Sequence, residues 1–463
     1  MLNAVPPANE LTSPSAEKYM NLNLRKNSLW ALAEVLFSSL LLFVLYKIVI
    51  ASLGVKALGI WSLVLATTSL GRVADMGTAA ALGRFVAATT AREDNNSAID
   101  YAETAVISNF LLYAAIALLM WAPAYYGLSV AIEQDSLLQA RRLLPFSLVS
   151  LVLAGLINAT TGAIVGQHRS DQKSMTAMIG LATLFLVAIL FVPQYGLLAL
   201  AWAQIAQYSV VVTANWFLFL RNHFQGWTMR LPLRWRKSLF KELMSFGMKL
   251  QAIYIASILY DPVVKFLMST LGGLEMLGYF EMAQRVISQV RQLVVMPNLT
   301  LIPSFAHWYE ADRGKIAPLY HKALALTIVF GFPLLVGTAA AAPLISILWM
   351  GRVESHFVAL MAILTLGCLI NVIAVPAYYL ALGIGYVKWN VYGAYVTTAG
   401  VCLLGLVLGR LWGGLGVAMA TGIMVSCGAM LSLMTCRWMG IAVFPRLTDF
   451  RWHGFVKRKL LNL

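Results

Sequence analysis

About twelve stretches of mostly apolar residues follow one another along the chain, near 27–50, 58–88, 104–123, 138–165, 174–193, 196–220, 243–270, 274–303, 317–342, 357–382, 389–409 and 414–436. A helix needs roughly 20 apolar residues to cross a bilayer. The runs are continuous rather than alternating, and lipid leaves no water to satisfy an open strand edge, so the spans read as helices and not as barrel strands. With 60% hydrophobic and 11% charged residues, an ordinary soluble domain is excluded.

The chain is also doubled. LGVKALGIW at 53–61 returns as LGGLEMLGYF at 271–280, which pairs Gly54 with Gly272 (offset 218) and Gly59 with Gly278 (offset 219). Lys47 and Lys265 each lie seven residues before the first of these glycines, and Arg72 and Arg291 each lie thirteen after the second. GLLALAWA from Gly196 matches GGLGVAMA from Gly413 at offset 217. A near-constant shift of about half the chain marks an internal duplication. The expected fold is therefore an all-α integral membrane protein of about twelve transmembrane helices, in two six-helix lobes related by a pseudo-two-fold axis along the membrane normal. The parts are a cytosolic tail at 1–26, an N-lobe at 27–222, a basic linker at 223–242, a C-lobe at 243–437 and a basic tail at 438–463.

Lys and Arg are unevenly shared among the loops. With the N-terminus inside, 22 of the 34 fall in inner segments, 5 in outer ones and 7 within or at the ends of spans. The positive-inside rule then places both termini in the cytosol. The net charge of +15 sits in short loops on one side, which fits anionic inner-leaflet lipids rather than nucleic acid. In the linker, basic residues interleave with Trp227, Leu231, Leu233, Trp235, Leu239 and Phe240; it reads as a membrane-surface segment or as a docking site for a cytosolic partner. Cys368, Cys402, Cys427 and Cys436 have no pairing or metal spacing and read as small core residues. There is no GxxxxGK[ST] loop, HExxH, CxxC pair or GxSxG elbow, so neither an enzyme nor a cofactor is expected, and transport is what remains.

Charge inside a membrane is costly and so marks function. It is confined to the first two spans of each half: Glu34, Lys47, Arg72, Asp75 and Arg84, then Lys249, Asp261, Lys265, Glu281, Arg285 and Arg291. Arg72 with Asp75, Asp261 with Lys265 and Glu281 with Arg285 stand three or four apart, where mutual neutralisation on one helix face is the alternative to a functional role. Arg291 has no acidic residue three or four positions away. It either reaches Asp75 or Glu34 across a cavity or holds an anionic ligand. A guanidinium matches phosphate geometry, so Arg72 and Arg291 lead the substrate-binding candidates, with Arg285, Lys265 and Lys47 behind them. Asp75, Glu34 and Asp261 are candidates for coupling or gating, and no metal site is expected. Asp261 precedes Pro262, which disfavours helical dihedrals, so a break or a proline kink is expected there.

LGVKALGIWSLV, LGRVADMGTAAALGRFVA, SLFKELMSFGMKLQ and LGGLEMLGYFEMAQRV resemble the polysaccharide-biosynthesis flippases of the multidrug/oligosaccharidyl-lipid/polysaccharide exporter superfamily. The resemblance covers residues 24–440 and implies a bacterial inner-membrane protein with a central cavity open alternately to either side. It implies that an undecaprenyl-pyrophosphate-linked oligosaccharide is moved outward with proton or sodium coupling, with Arg72, Asp75 and Arg291 as cavity residues; glycan polymerase or glycosyltransferases are the expected protein partners. A multidrug cation exporter and a non-transporting scaffold subunit are the alternatives.

Overall fold

The computed structural model describes residues 14–71, 78–90, 92, 94–223, 230–299 and 301–444. The described chain is helical and falls into two compact units, Met1–Ile258 and Leu259–Leu463. Among the described residues nine helices are long and apolar enough to cross a membrane, which makes this a multi-pass membrane protein.

The first unit holds α1 (Pro14–Leu53), α2 (Val55–Ser69), α3 (Thr78–Thr90), α4 (Asn95–Ala131), α5 (Gln134–Gly166), α6 (Ser170–Tyr195) and α7 (Leu197–His223). α8 (Lys237–Leu299) runs from this unit into the second. The second unit continues with α9 (Ile302–Ala311), α10 (Ile316–Ala340), α11 (Ala342–Met350), α12 (Ser355–Gly383), α13 (Lys388–Ser432) and α14 (Met434–Trp438). α1 starts at Pro14, inside the stretch expected to be a tail, because proline is well placed in a first helical turn and nothing breaks the run behind it.

Two of the long helices are each a pair joined at a glycine. α8 breaks at Gly273 (φ 83°, ψ 169°) and α13 at Trp412–Gly413, where Gly413 has φ 58° and ψ −142°. The first unit makes the same turns with the same backbone: Gly54 (φ 80°, ψ 170°) separates α1 from α2, and Gly196 (φ 60°, ψ −136°) separates α6 from α7. Only glycine adopts such conformations cheaply. The four angles also correct the register of the duplication. Gly54 corresponds to Gly273, not Gly272, so the offset is 219 there. Burial agrees: Tyr46 and its counterpart Lys265 are buried (7% and 9% exposed), while Lys47 and its counterpart Phe266 face outward. Lys47 and Lys265 are thus not equivalent, because one residue turns a helix by 100°. The break does not fall at Asp261–Pro262 either; α8 keeps helical dihedrals through Pro262, which costs one backbone hydrogen bond that a membrane helix tolerates.

Each unit is built around one helix, and it is the same helix of the repeat. α5 packs on α2, α3, α4, α6 and α7; α12 packs on α9, α10, α11, α13 and α14. Polar residues bind the first bundle together. Asn215 of α7 accepts from Thr176 (2.6 Å) and donates to Thr161 (3.1 Å) and Thr160 (3.4 Å), joining α5, α6 and α7. Such bonds within membrane helices contribute about 0.6 kcal/mol on average and at most about 1.7. Asn215→Leu is therefore expected to destabilise the protein by about 1–2 kcal/mol, read as a lower thermal unfolding midpoint in detergent; an unchanged midpoint would show that the network contributes nothing net.

Residues 230–236 form an extended strap on α4. Arg230 pairs with Glu103 (2.9 Å), which is fully buried, and Arg236 pairs with Asp100 (2.8 Å). The Arg234 amide donates to Glu103 (2.7 Å), the Trp235 indole to Ser108 (3.0 Å) and the Trp216 indole to the Arg230 carbonyl (2.7 Å). Two linker cations expected at the lipid surface are thus held by protein carboxylates, while Leu231, Leu233, Arg234, Lys237 and Lys241 remain exposed. Asp94, fully exposed, caps α4 by accepting from the Ser97 amide (3.0 Å), and hydrogen bonds from Ser97 hold its carboxyl below the ordinary carboxylate range.

Candidate functional site

The second unit contains a cavity of about 210 Å³. Three helices supply its walls, each through a single face. After the Gly273 break, α8 contributes Gln284, Ile287, Ser288 and Arg291; α12 contributes Leu364, Gly367, Cys368 and Asn371; α13 contributes Thr421, Gly422 and Val425. On α8 and α12 the spacing is i, i+3, i+4, i+7, the spacing of one helix stripe. Tyr260, from before the break, completes the lining.

The glycines let the walls meet. A Cβ on Gly367 would lie 2.6 Å from the Gly422 Cα, so α12 and α13 approach backbone to backbone. The Ser426 hydroxyl closes the contact by donating to the Gly367 carbonyl (3.3 Å) and to that of Gly422 (2.8 Å).

Among the described residues Arg291 is the one charged member of the lining, and it is half-buried. Its Nε donates to the Asn371 side-chain oxygen at 3.0 Å. Among the described residues no carboxylate pairs with it, so its terminal amino groups keep their capacity to donate. The site is a largely apolar cup with a few neutral polar side chains and one positive charge, a setting where a guanidinium attracts an anion strongly.

Its neighbours on α8 are charged but self-compensated. Lys265 pairs with Glu281 (2.9 Å) and Asp261 (3.1 Å), and Glu281 pairs with Arg285 (3.4 Å). The chain Asp261–Lys265–Glu281–Arg285 alternates in sign and sums to zero. The ammonium of Lys265 and the guanidinium of Arg285, both expected to bind substrate, are engaged with these carboxylates. In the first unit Glu34 is held by Lys173 (3.1 Å), which spans α1 and α6, and Lys47 is exposed. Arg72 and Asp75 lie outside the described residues, which end at Gly71 and resume at Thr78. Among the described residues no group of three His, Cys, Asp or Glu side chains is placed to hold a metal ion.

Asn371, Gln284 and Thr421 were not singled out from the sequence. Neutral polar residues in apolar spans carry no charge signal, although the Gln284, Ser288, Arg291 stripe was present in the spacing.

Comparison with known proteins gives the family. The polysaccharide biosynthesis protein family matches residues 52–352, about two thirds of the chain. No curated protein matches. Among solved structures, an inward-facing multidrug resistance MATE family transporter of the MOP superfamily aligns at a TM-score of 0.69 and 14% identity, covering 89% of this chain and 98% of that one. The lipid II flippase MurJ in an inward closed conformation aligns at 0.60 and 16%, covering 85% and 87%. A MOP superfamily transporter from Pyrococcus furiosus, whose binding pocket is described as reversed in polarity, aligns at 0.59 and 16%, covering 90% and 95%. The helical two-lobe fold is thus that of MOP superfamily transporters, and the chain belongs to the polysaccharide biosynthesis protein family.

Proposed function

We propose that this protein is a flippase that carries an undecaprenyl-pyrophosphate-linked oligosaccharide from the cytosolic to the periplasmic leaflet of the bacterial inner membrane by alternating access, with both termini in the cytosol. The observation that carries this reading is Arg291: a half-buried guanidinium in a membrane-embedded cavity, steadied by a neutral amide and paired with no carboxylate among the described residues. Such a group is costly unless a ligand supplies the missing anion, and a diphosphate supplies one whose oxygens match the guanidinium fork. The family's link to polysaccharide synthesis and the lipid II flippase among the neighbours support the same substrate class. Arg72, at offset 219 from Arg291, is the proposed partner from the other half. The cycle is proposed to draw on a proton or sodium gradient through Asp75, Glu34 or Asp261, of which Glu34 and Asp261 rest in ion pairs that protonation would release. A cation exporter would need an acidic cavity, and among the described residues no Asp or Glu lines this one.

Export of surface polysaccharide by cells carrying Arg291→Ala tests the reading. Removing a buried charge from its ionic partner costs about 2–5 kcal/mol, a loss of roughly thirtyfold or more in substrate affinity. Export is expected to collapse at unchanged membrane abundance. Arg291→Lys, which keeps the charge but loses the fork, is expected to fall between. Wild-type export from Arg291→Ala would remove the assignment.

A further inference from the structure

A second cavity, of about 350 Å³, lies in the first unit where α5 begins and α6 turns into α7. One face of α5 lines it through Asp135, Leu138, Gln139 and Arg142, and the turn lines it through Tyr195, Gly196, Leu197 and Leu198. Its volume is at the small end of the range for ligand pockets, about 300–1,000 Å³. Asp135, Gln139 and Arg142 stand at i, i+4 and i+7, and all three are exposed. Among the described residues neither Asp135 nor Arg142 enters an ion pair. The adjacent arginine is used differently: the Arg141 guanidinium carbon lies 4.0 Å from the Tyr125 ring centroid. Tyr195 is half exposed and braced by Trp202, with ring centroids 5.2 Å apart.

The equivalent place in the duplicated half is arranged differently. The turn recurs at Trp412–Gly413, again with an aromatic residue before the glycine, and Asp135 corresponds at offset 219 to Glu354. There the carboxylate is closed off by Arg352 (3.1 Å) and His356 (3.4 Å) and is only 15% exposed. In the first unit the residue matching Arg352 is Glu133, which is drawn away to Lys56 (3.4 Å), and Asp135 stays open.

We propose that this cleft binds a saccharide unit. A pyranose has an apolar C–H face that packs on an aromatic ring and a rim of neighbouring hydroxyls that both donate and accept. Tyr195 offers the ring, Asp135 the acceptor, Arg142 the donor fork and Gln139 both. Asp135 and Arg142 together leave the described lining without net charge, which suits a neutral polyol and not a phosphate or an anionic headgroup. The site lies at the end of the first unit opposite the α5–α6 turn and shares no lining residue with the Arg291 cavity, so it extends the transport reading by adding a contact for the glycan itself.

The test is binding of the full-length protein, purified in detergent, to an array of bacterial polysaccharide fragments, followed by calorimetry with whichever fragment binds. Wild-type protein is expected to bind at least one fragment, and Tyr195→Ala and Arg142→Gln each to weaken that affinity about tenfold, the loss of one good stacking or charged contact. These side chains are exposed, and size-exclusion profiles check that the variants remain intact. An array with no bound fragment, binding that survives the double variant, or a response to glycerol phosphate in place of the fragment would each overturn the proposal. Because binding is read without transport, unimpaired export from Arg291→Ala would remove Arg291 from the substrate site and leave this proposal standing.

Discussion

Glu281→Ala is expected to destabilise the second unit by about 3–5 kcal/mol, the cost of leaving a buried partner charge uncompensated. Lys265 is 9% exposed and holds its ammonium against Glu281 at 2.9 Å and Asp261 at 3.1 Å. Asp261 is half exposed and can turn to water, so it neutralises Lys265 only in part once Glu281 is gone. Truncating one member is therefore far worse than removing both. Lys265→Met combined with Glu281→Leu fills similar volume with apolar atoms, and replacing a buried pair in this way is commonly neutral or stabilising. Thermal unfolding in detergent should place the single variant well below wild type and the double variant near it. The double variant then separates two roles. If it is stable but no longer exports, the pair works in the transport cycle; if it is stable and exports, the pair is structural. A single variant as stable as wild type would mean that the carboxylate is not buried against the ammonium at all.

Arg291 was legible as an unusual cation because no acid stands a turn away from it in sequence, and among the described residues no carboxylate pairs with it. Its partner was not legible. Asn371 lies 80 residues on and is an ordinary amide in an apolar span. Nor did the sequence reveal where Asp100 and Glu103 spend their charge, because their cations, Arg236 and Arg230, lie more than 120 residues away. The register of the repeat slipped by one for a physical reason. The first half has one glycine at its turn and the second has two, Gly272 and Gly273. Packing decides between them: a Cβ on Gly272 would lie 2.7 Å from the Gly414 Cα, so Gly272 serves close approach and Gly273 takes the positive φ. The helices and the doubling were readable because they are periodic. Pairings across the bundle were not, because nothing local encodes them.

Gly162→Leu is expected to prevent assembly of the first unit. α5 carries Gly162 and Gly166 four residues apart, and α3 presents Ala79 and Gly83 with the same spacing. Small residues in this pattern let membrane helices come into backbone contact, which is where their association energy resides. Here the contact is already at its limit. A Cβ at 162 would sit 2.5 Å from the Ala79 carbonyl oxygen and 3.0 Å from its Cα, and one at 166 would sit 2.7 Å from the Gly83 oxygen. These are backbone atoms and cannot swing aside, so α3 must move bodily from α5. α3 also bears on the hydrogen bond that Asn109 of α4 makes to Thr78 (3.1 Å), and Asn109 donates in turn to the Gly155 carbonyl (2.9 Å), so three helices loosen together. Overpacking a tight core costs about 1–3 kcal/mol for small insertions, and leucine adds far more than a methyl. Gly162→Ala should therefore lower the unfolding midpoint measurably, and Gly162→Leu should leave little monodisperse protein after extraction. Gly127→Ala is the control, since a Cβ there meets nothing within 4 Å and alanine favours the helix by up to about 1 kcal/mol. If Gly162→Leu purified and melted like wild type, α3 and α5 would not be in backbone contact in the membrane.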